Sequence, residues 1–347
     1  ATLSADTLGK RAVAVGKSAL GSQNFTSATN NYNVAVGYDG GKSITTGTQN
    51  TFIGGLAGDA LTDADFNVAV GTGALSAETL GSKSTALGSY SLFNQNNTSA
   101  ADIFNTAVGY EAGKKITTGT ENTVVGAKAA DEMTTGSSNT FIGNDAAGTG
   151  VVTGASNTAV GKSAGLNLTS GSNCLFLGHD AGITGSPGGN FTSTDNRMVL
   201  GDENIGVAHI QVALTVASDQ RDKTDFVDLD LGLDFVKALE PVTYYWDKRS
   251  KYGDKYAEDY DLNAQVPDGT HKEDWMDVGF KAQSVLALEE AAGHTMSDKK
   301  NLTVSLSDDG KQYGLQYEKF VPILVKAIQE QQALIESLTA RIATLEG

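Results

Sequence analysis

The sequence predicts a mostly β chain: a shaft of short stacked strands in a parallel β-roll or β-helix, then an α+β region ending in a coiled-coil helix. Three observations predict it. A motif recurs about every 17 residues over the first half, the composition changes near residues 210–220, and the C-terminal stretch carries an apolar seam at alternating steps of 3 and 4. A fixed short period marks a repeat architecture, in which each unit buries its apolar face against the next.

The motif is Asn, then Thr or Val, two apolar or small residues, then Gly. It reads Asn33-Val-Ala-Val-Gly37, Asn50-Thr-Phe-Ile-Gly54, Asn67-Val-Ala-Val-Gly71, Asn105-Thr-Ala-Val-Gly109, Asn122-Thr-Val-Val-Gly126, Asn139-Thr-Phe-Ile-Gly143 and Asn157-Thr-Ala-Val-Gly161, with variants ending at Gly16, Gly88, Gly178 and Gly201. From Gly16 the spacings are 21, 17, 17, 17, 21, 17, 17, 18, 17 and 23. The repeated Gly fits a tight bend with positive φ, and the Asn fits a turn in which its amide satisfies backbone groups. Two short strands per unit are expected. With so few large apolar residues, burial is expected to come from neighbouring units and from neighbouring chains. Tyr32, Tyr38, Tyr90, Phe93 and Tyr110 have faces on which a sugar ring can stack, but packing between turns is the commoner role of such residues. Over roughly residues 11–201 the pattern resembles the head repeats of trimeric autotransporter adhesins and similar repeats in phage fibres. That resemblance implies a left-handed parallel β-roll trimer, although the period here differs from the adhesin repeat by a few residues.

The composition shift sets the expected organisation: a shaft over 1–210, a junction over 211–217, a charged α+β core over 218–316 and a terminal helix over 317–347. Of 41 glycines, 33 precede Ser218, whereas both tryptophans, Trp246 and Trp275, follow it, which marks a boundary between two kinds of fold. The formal net charge of -16 disfavours a nucleic-acid partner and docking on anionic lipid. No apolar run is long enough to span a bilayer. The opening Ala1-Thr2-Leu3-Ser4 does not read as a signal peptide and is expected to continue something longer. The single cysteine, Cys174, sits in the run Cys174-Leu175-Phe176-Leu177 and is expected to be a small buried hydrophobe. His179, His209, His271 and His294 share no ligand spacing, so no metal and no cofactor is expected. The polar stretch 252–270 reads as a solvated loop.

Chemistry concentrates at Ala217-Ser218-Asp219-Gln220-Arg221-Asp222-Lys223. A serine hydroxyl becomes a nucleophile when a base takes its proton, and a neutral lysine can be that base. Taken alone, Ser-x4-Lys is uninformative, and Ser218 or Asp219 capping the next turn is the simpler reading. Five residues also place the pair off one helical face, so a turn or extended segment is expected.

The surroundings reverse that weighting. Ser-Asp-x-Arg-x-Lys at 218–223, Leu-x-Pro-Val-x-Tyr-x-Trp at 239–246, Gly-Phe-x-Ala-Gln at 279–283 and Tyr-x-x-Phe-x-Pro-x-Leu-Val-x-Ala-Ile-x-Glu at 317–330 together resemble the intramolecular chaperone domain of phage tailspikes and endosialidases, the peptidase S74 family. The resemblance extends over essentially all of 218–347. It implies a homotrimer in which this domain folds the upstream shaft and then cuts the Ala217–Ser218 bond. Ser218 would be the nucleophile and Lys223 the base, with Asp219 and Arg221 in support. Lys281 stands where an aliphatic residue is usual.

The terminal seam runs Ile328, Gln331, Ile335, Leu338, Ile342, Leu345. Ile with Leu favours two strands in simple parallel peptides, whereas the resemblance implies three, and the domain above the seam is expected to decide. The resemblance also implies a virion tail fibre or spike, with other tail proteins and a host cell-surface receptor or glycan as partners. Two rival readings are a bacterial trimeric surface adhesin and a glycan-degrading tailspike. The first would need a signal peptide and C-terminal membrane strands. The second would need convergent carboxylates, whereas Asp59, Asp63, Asp65, Glu111, Asp131 and Glu132 sit at varied repeat phases.

Overall fold

The computed structural model describes residues 2–257 and 259–346; Ala1, Glu258 of the expected 252–270 loop and Gly347 of the expected terminal helix lie outside them. The chain divides into two compact units, Ala1–Asn204 and Ile205–Gly347.

The first unit is a β-solenoid of about ten turns. Eleven three-residue strands stack in parallel and in chain order: β1 (Val13–Val15), β2 (Val34–Val36), β3 (Thr51–Ile53), β4 (Val68–Val70), β5 (Thr85–Leu87), β6 (Thr106–Val108), β7 (Thr123–Val125), β8 (Thr140–Ile142), β9 (Thr158–Val160), β10 (Leu175–Leu177) and β11 (Met198–Leu200). Successive strands are one motif apart, so the motif is the turn. The expectation of two strands per unit is corrected. Each turn contributes one strand to this sheet, and among the described residues of this unit a second, two-residue pairing forms only as Gly9–Lys10 with Thr29–Asn30 and Gly81–Ser82 with Ala101–Asp102. Both pairings involve residues within the 21-residue turns, where the extra length permits them.

Each position of the motif has a physical cause. The middle residue of each strand points inward, because strand side chains alternate. Phe52, Phe141 and Phe176 are fully buried there, and small residues such as Ala35, Ala69 and Ala159 stand opposite them in the adjacent turns. The Asn before the strand is buried and bridges turns. Asn50 Nδ2 donates to the Ala64 carbonyl (2.7 Å), its backbone N–H donates to Asn33 Oδ1 (2.9 Å), and its Oδ1 accepts from the backbone N–H of Asn67 (2.9 Å). The Gly after the strand holds φ of +135° at Gly54 and +137° at Gly126, and an added Cβ would overlap the carbonyl of the Gly one turn on. Glycine is thus required for both conformation and close approach. Cys174 takes the Asn position, with its N–H donating to Asn157 Oδ1 (2.9 Å) and its thiol pushed up by burial.

The interior is filled by one chain. A continuous core runs from Ala19 to Val199, with Leu20, Ile44, Leu61, Ile116, Met133 and Leu168 fully buried. This corrects the expectation that the shaft must borrow neighbouring chains to bury its core. The interior is thin, and alanines with an occasional Phe suffice to close it.

The second unit is smaller. Helix α1 (Leu233–Ala238) leads to β12 (Val242–Tyr244), which pairs antiparallel with β13 (Asp277–Gly279). Helix α2 (Ala282–Ala291) precedes the antiparallel pair β14 (Val304–Leu306) and β15 (Tyr313–Leu315), and the unit ends in the 27-residue helix α3 (Phe320–Glu346). Its core joins Leu231, Phe235, Val285, Val304, Phe320 and Ile323. The buried Glu289 carboxylate accepts from the Thr303 N–H (2.7 Å) and the Leu302 N–H (3.1 Å), tying α2 to the approach of β14.

Candidate functional site

The segment around Ser218 is built by one short turn. Asp219 caps a single 3-10 turn over Gln220–Asp222, its Oδ1 accepting from the Arg221 N–H (2.9 Å). The Arg221 guanidinium folds back onto the same carboxylate, Nη2 to Oδ2 at 2.6 Å and Nε to Oδ1 at 3.1 Å. Those hydrogen bonds hold the Asp219 carboxyl below its ordinary range. The Lys223 N–H closes the turn on the Gln220 carbonyl (3.2 Å), and the chain leaves in extended conformation. The reversal carries the Lys223 side chain back, and its Nζ donates to Ser218 Oγ at 2.6 Å. A turn is thus what joins the pair, and the capping role belongs to Asp219.

All of 218–223 is exposed in the single chain. A lysine that serves as a base must be neutral, which needs a desolvated setting. The lone chain supplies the distance between the two groups but not the shielding. The approach is also exposed. Ile210, Val212, Leu214 and Val216 alternate along an exposed stretch that belongs to no strand. This period of two is legible in the sequence at the junction over 211–217.

The remaining resemblance residues converge elsewhere in the unit. Phe280 stacks on Phe320 with centroids 5.4 Å apart and on Tyr317 at 6.2 Å. The Tyr317 hydroxyl accepts from the Phe280 N–H (3.2 Å) and fills the space a Cβ on Gly279 would take. Trp246 packs edge-on against Tyr244 and donates to Asp277 (3.2 Å). Glu330 of α3 accepts from the Leu233 N–H (2.7 Å) and so caps α1. Lys281 is exposed at the start of α2, where it crowds nothing.

The seam residues Ile328, Gln331, Ile335, Leu338, Ile342 and Leu345 all lie exposed on α3. The buried residues of α3, Phe320, Ile323 and Ala327, lie in its first turns, and Glu330 adds the bond to Leu233. On the shaft, Tyr32, Tyr38 and Tyr110 stay exposed at separate turns, and Tyr90 packs edge-on against Phe93. Five of the six shaft carboxylates named above engage a neighbouring side chain: Asp59 accepts from Ser76, Asp63 from Thr46 and Asp65 from Thr48, while Glu111 pairs with Lys114 and Glu132 with Lys115. The histidines were expected to hold no metal, yet His179 stands beside Asp180 and Asp202, one ligand atom from each lying within 4.8 Å of the others.

The chain thus runs from a β-solenoid into a small α/β unit and a long terminal helix. Residues 218–294 match the Peptidase S74 family, described as chaperone of endosialidase, and the match begins at Ser218. It ends before the terminal helix, so the likeness over 317–330 rests on the residues themselves. Among curated proteins and among solved structures, nothing matches the chain. The chaperone match and the solenoid together fit a fibre or spike whose C-terminal chaperone assists folding.

Proposed function

We propose that the chain is a homotrimeric tail fibre or spike of a bacteriophage virion, whose C-terminal domain directs folding of the solenoid and then releases it by cutting Ala217–Ser218. The observation that carries this reading is the 2.6 Å approach of Lys223 Nζ to Ser218 Oγ at the first residue of the matched segment. In the proposed reaction Lys223, once neutral, takes the Ser218 hydroxyl proton. Oγ bonds to the Ala217 carbonyl carbon, the C–N bond breaks, and the proton passes to the Ser218 amine. Water then hydrolyses the ester, leaving an Ala217 carboxylate and Ser218 as a new N-terminus. The enzyme turns over once.

Three features support assembly of copies. The outer half of α3 is exposed along its described length, and an isolated helix of that length is marginal in water. The third residue of the strands, including Val15, Val36, Ile53, Ile142 and Leu200, forms an exposed apolar stripe along the sheet. The alternating stretch before Ser218 is exposed and belongs to no strand, so a neighbouring copy could pair with it. Packing of copies around 218–223 would supply the shielding that Lys223 lacks in one chain. After release, the shaft would persist through a high unfolding barrier. Attachment to a host glycan or protein is the role proposed for it.

Denaturing electrophoresis of freshly made protein tests the reaction. Two fragments of roughly two-thirds and one-third length should appear in the unaltered chain and be missing in Ser218→Ala and Lys223→Ala. Cleavage that persists in either variant removes the dyad from the mechanism.

A further inference from the structure

We infer that His179, Asp180 and Asp202 bind one divalent transition-metal ion, zinc being the natural probe, and that this ion fastens the last turn of the solenoid to the turn before it. His179 follows Gly178 directly after β10, and Asp202 follows Gly201 directly after β11. These strands pair with Leu177 opposite Leu200, so His179 and Asp202 stand one above the other at the same corner. Asp180 is the next residue.

The distances suit a shared ion. His179 Nδ1 lies 3.3 Å from Asp202 Oδ2 and 3.4 Å from Asp180 Oδ2. Ligand atoms about 2.0–2.1 Å from a tetrahedral zinc are about 3.3–3.4 Å from one another. The Asp180 and Asp202 side chains are 0% and 6% exposed, and that of His179 is 50% exposed. Two adjacent buried carboxylates favour a positive group between them, while the half-exposed imidazole leaves a way in and room for a water as fourth ligand. Asn204 donates its N–H to Asp202 Oδ1 (3.0 Å) and its side-chain amide to Oδ2 (2.8 Å), orienting that carboxylate.

Two corners of the same phase carry their carboxylate differently. Asp39 and Glu111 occupy the position of Asp180 in their own turns, and each pairs with a lysine three residues on, Lys42 and Lys114. Three residues beyond Asp180 stands Ile183. An imidazole and a second carboxylate stand beside it. Imidazole with two carboxylates selects zinc-like ions over calcium or magnesium, which prefer all-oxygen shells.

The test uses the full chain, stripped with EDTA and titrated with zinc against a chromophoric chelator, with bound metal counted by mass spectrometry and thermal unfolding followed with and without zinc or calcium. One zinc per chain should bind and raise the melting temperature, and calcium should not. His179→Ala should lose that bound equivalent and the zinc-dependent shift. Because His179 is half-exposed, its replacement should leave the zinc-free melting temperature near that of the parent. Asp202→Asn should weaken zinc binding, and His294→Ala should leave it unchanged. Failure to bind zinc saturably, or equal binding by His179→Ala, overturns the assignment. So does a histidine–carboxylate ion pair only, seen as a His179→Ala destabilisation of the same size with and without zinc.

Discussion

Replacing Asn122 with alanine tests whether the asparagine ladder holds the turns together. Asn122 stands just before β7 and is almost fully buried. Its Oδ1 accepts from the Asn139 N–H (3.0 Å) and its Nδ2 donates to the Gly136 carbonyl (2.9 Å). Alanine leaves both backbone groups buried without a partner. The Asn139 side-chain amide loses its bond to Asn122 (3.2 Å) but keeps that to the Gly154 carbonyl (3.0 Å), and Asn105 Oδ1 keeps the Asn122 N–H (2.9 Å), so the groups left with no partner are the two backbone ones. At about 1–3 kcal/mol for each orphaned group, Asn122→Ala should cost about 2–6 kcal/mol. Thr123→Ala, whose side chain faces outward one residue along, should fall within about 0.5 kcal/mol of the parent. Urea unfolding followed by circular dichroism gives the comparison. Hydrogen exchange at β7 and β8 shows whether the loss is local, as nearest-neighbour coupling in a repeat requires. Equal midpoints for the two variants would refute the reasoning.

Gly126→Ala should be worse tolerated than any outward-facing change, because it meets both a φ of +137° and the Gly143 carbonyl; loss of soluble protein, or a fall in urea midpoint exceeding that of Asn122→Ala, is expected. Asp131 is pushed up to about 6, first by burial and then by Glu132 and Asp145, with Lys128 opposing. The folded chain therefore holds a proton that the unfolded chain releases, and stability falls as pH rises from about 4 through about 6. Asp131→Asn should thus melt above the parent at pH 7.5, with the gap closing near pH 4; a gap independent of pH contradicts this. Glu330→Ala removes the cap on α1 and should cost about 1 kcal/mol, with Glu330→Gln recovering most of it, read from thermal unfolding of the C-terminal unit.

The solenoid was legible because Gly is chemically required once per turn and Asn recurs before most of the strands, so the period is printed in the sequence. The number of strands per turn was not. The corners use left-handed residues of ordinary type, such as Leu56, Phe66 and Tyr90, which carry no turn signature. The self-filled core was misjudged because alanines count little as hydrophobes, yet in an interior this thin Ala69 and Ala159 leave the space that Phe52 and Phe141 occupy. At the candidate site, Ser218 and Lys223 were singled out by the motifs around them, while their 2.6 Å approach depends on the turn that Asp219 caps. His179 and Asp202 lie 23 residues apart across a lengthened turn, a spacing that matches no metal motif until phase is counted from Gly178 and Gly201.

Assembly of three copies is the claim on which folding assistance, shielding of Lys223 and release all depend. Sedimentation equilibrium of the uncut Ser218→Ala chain measures it directly. A particle of three times 36.0 kDa is predicted. It should dissociate when Ile335 and Leu338, 49% and 54% exposed in the single chain, are both changed to Asp. A stably folded particle of 36.0 kDa before any change to the seam would contradict the account.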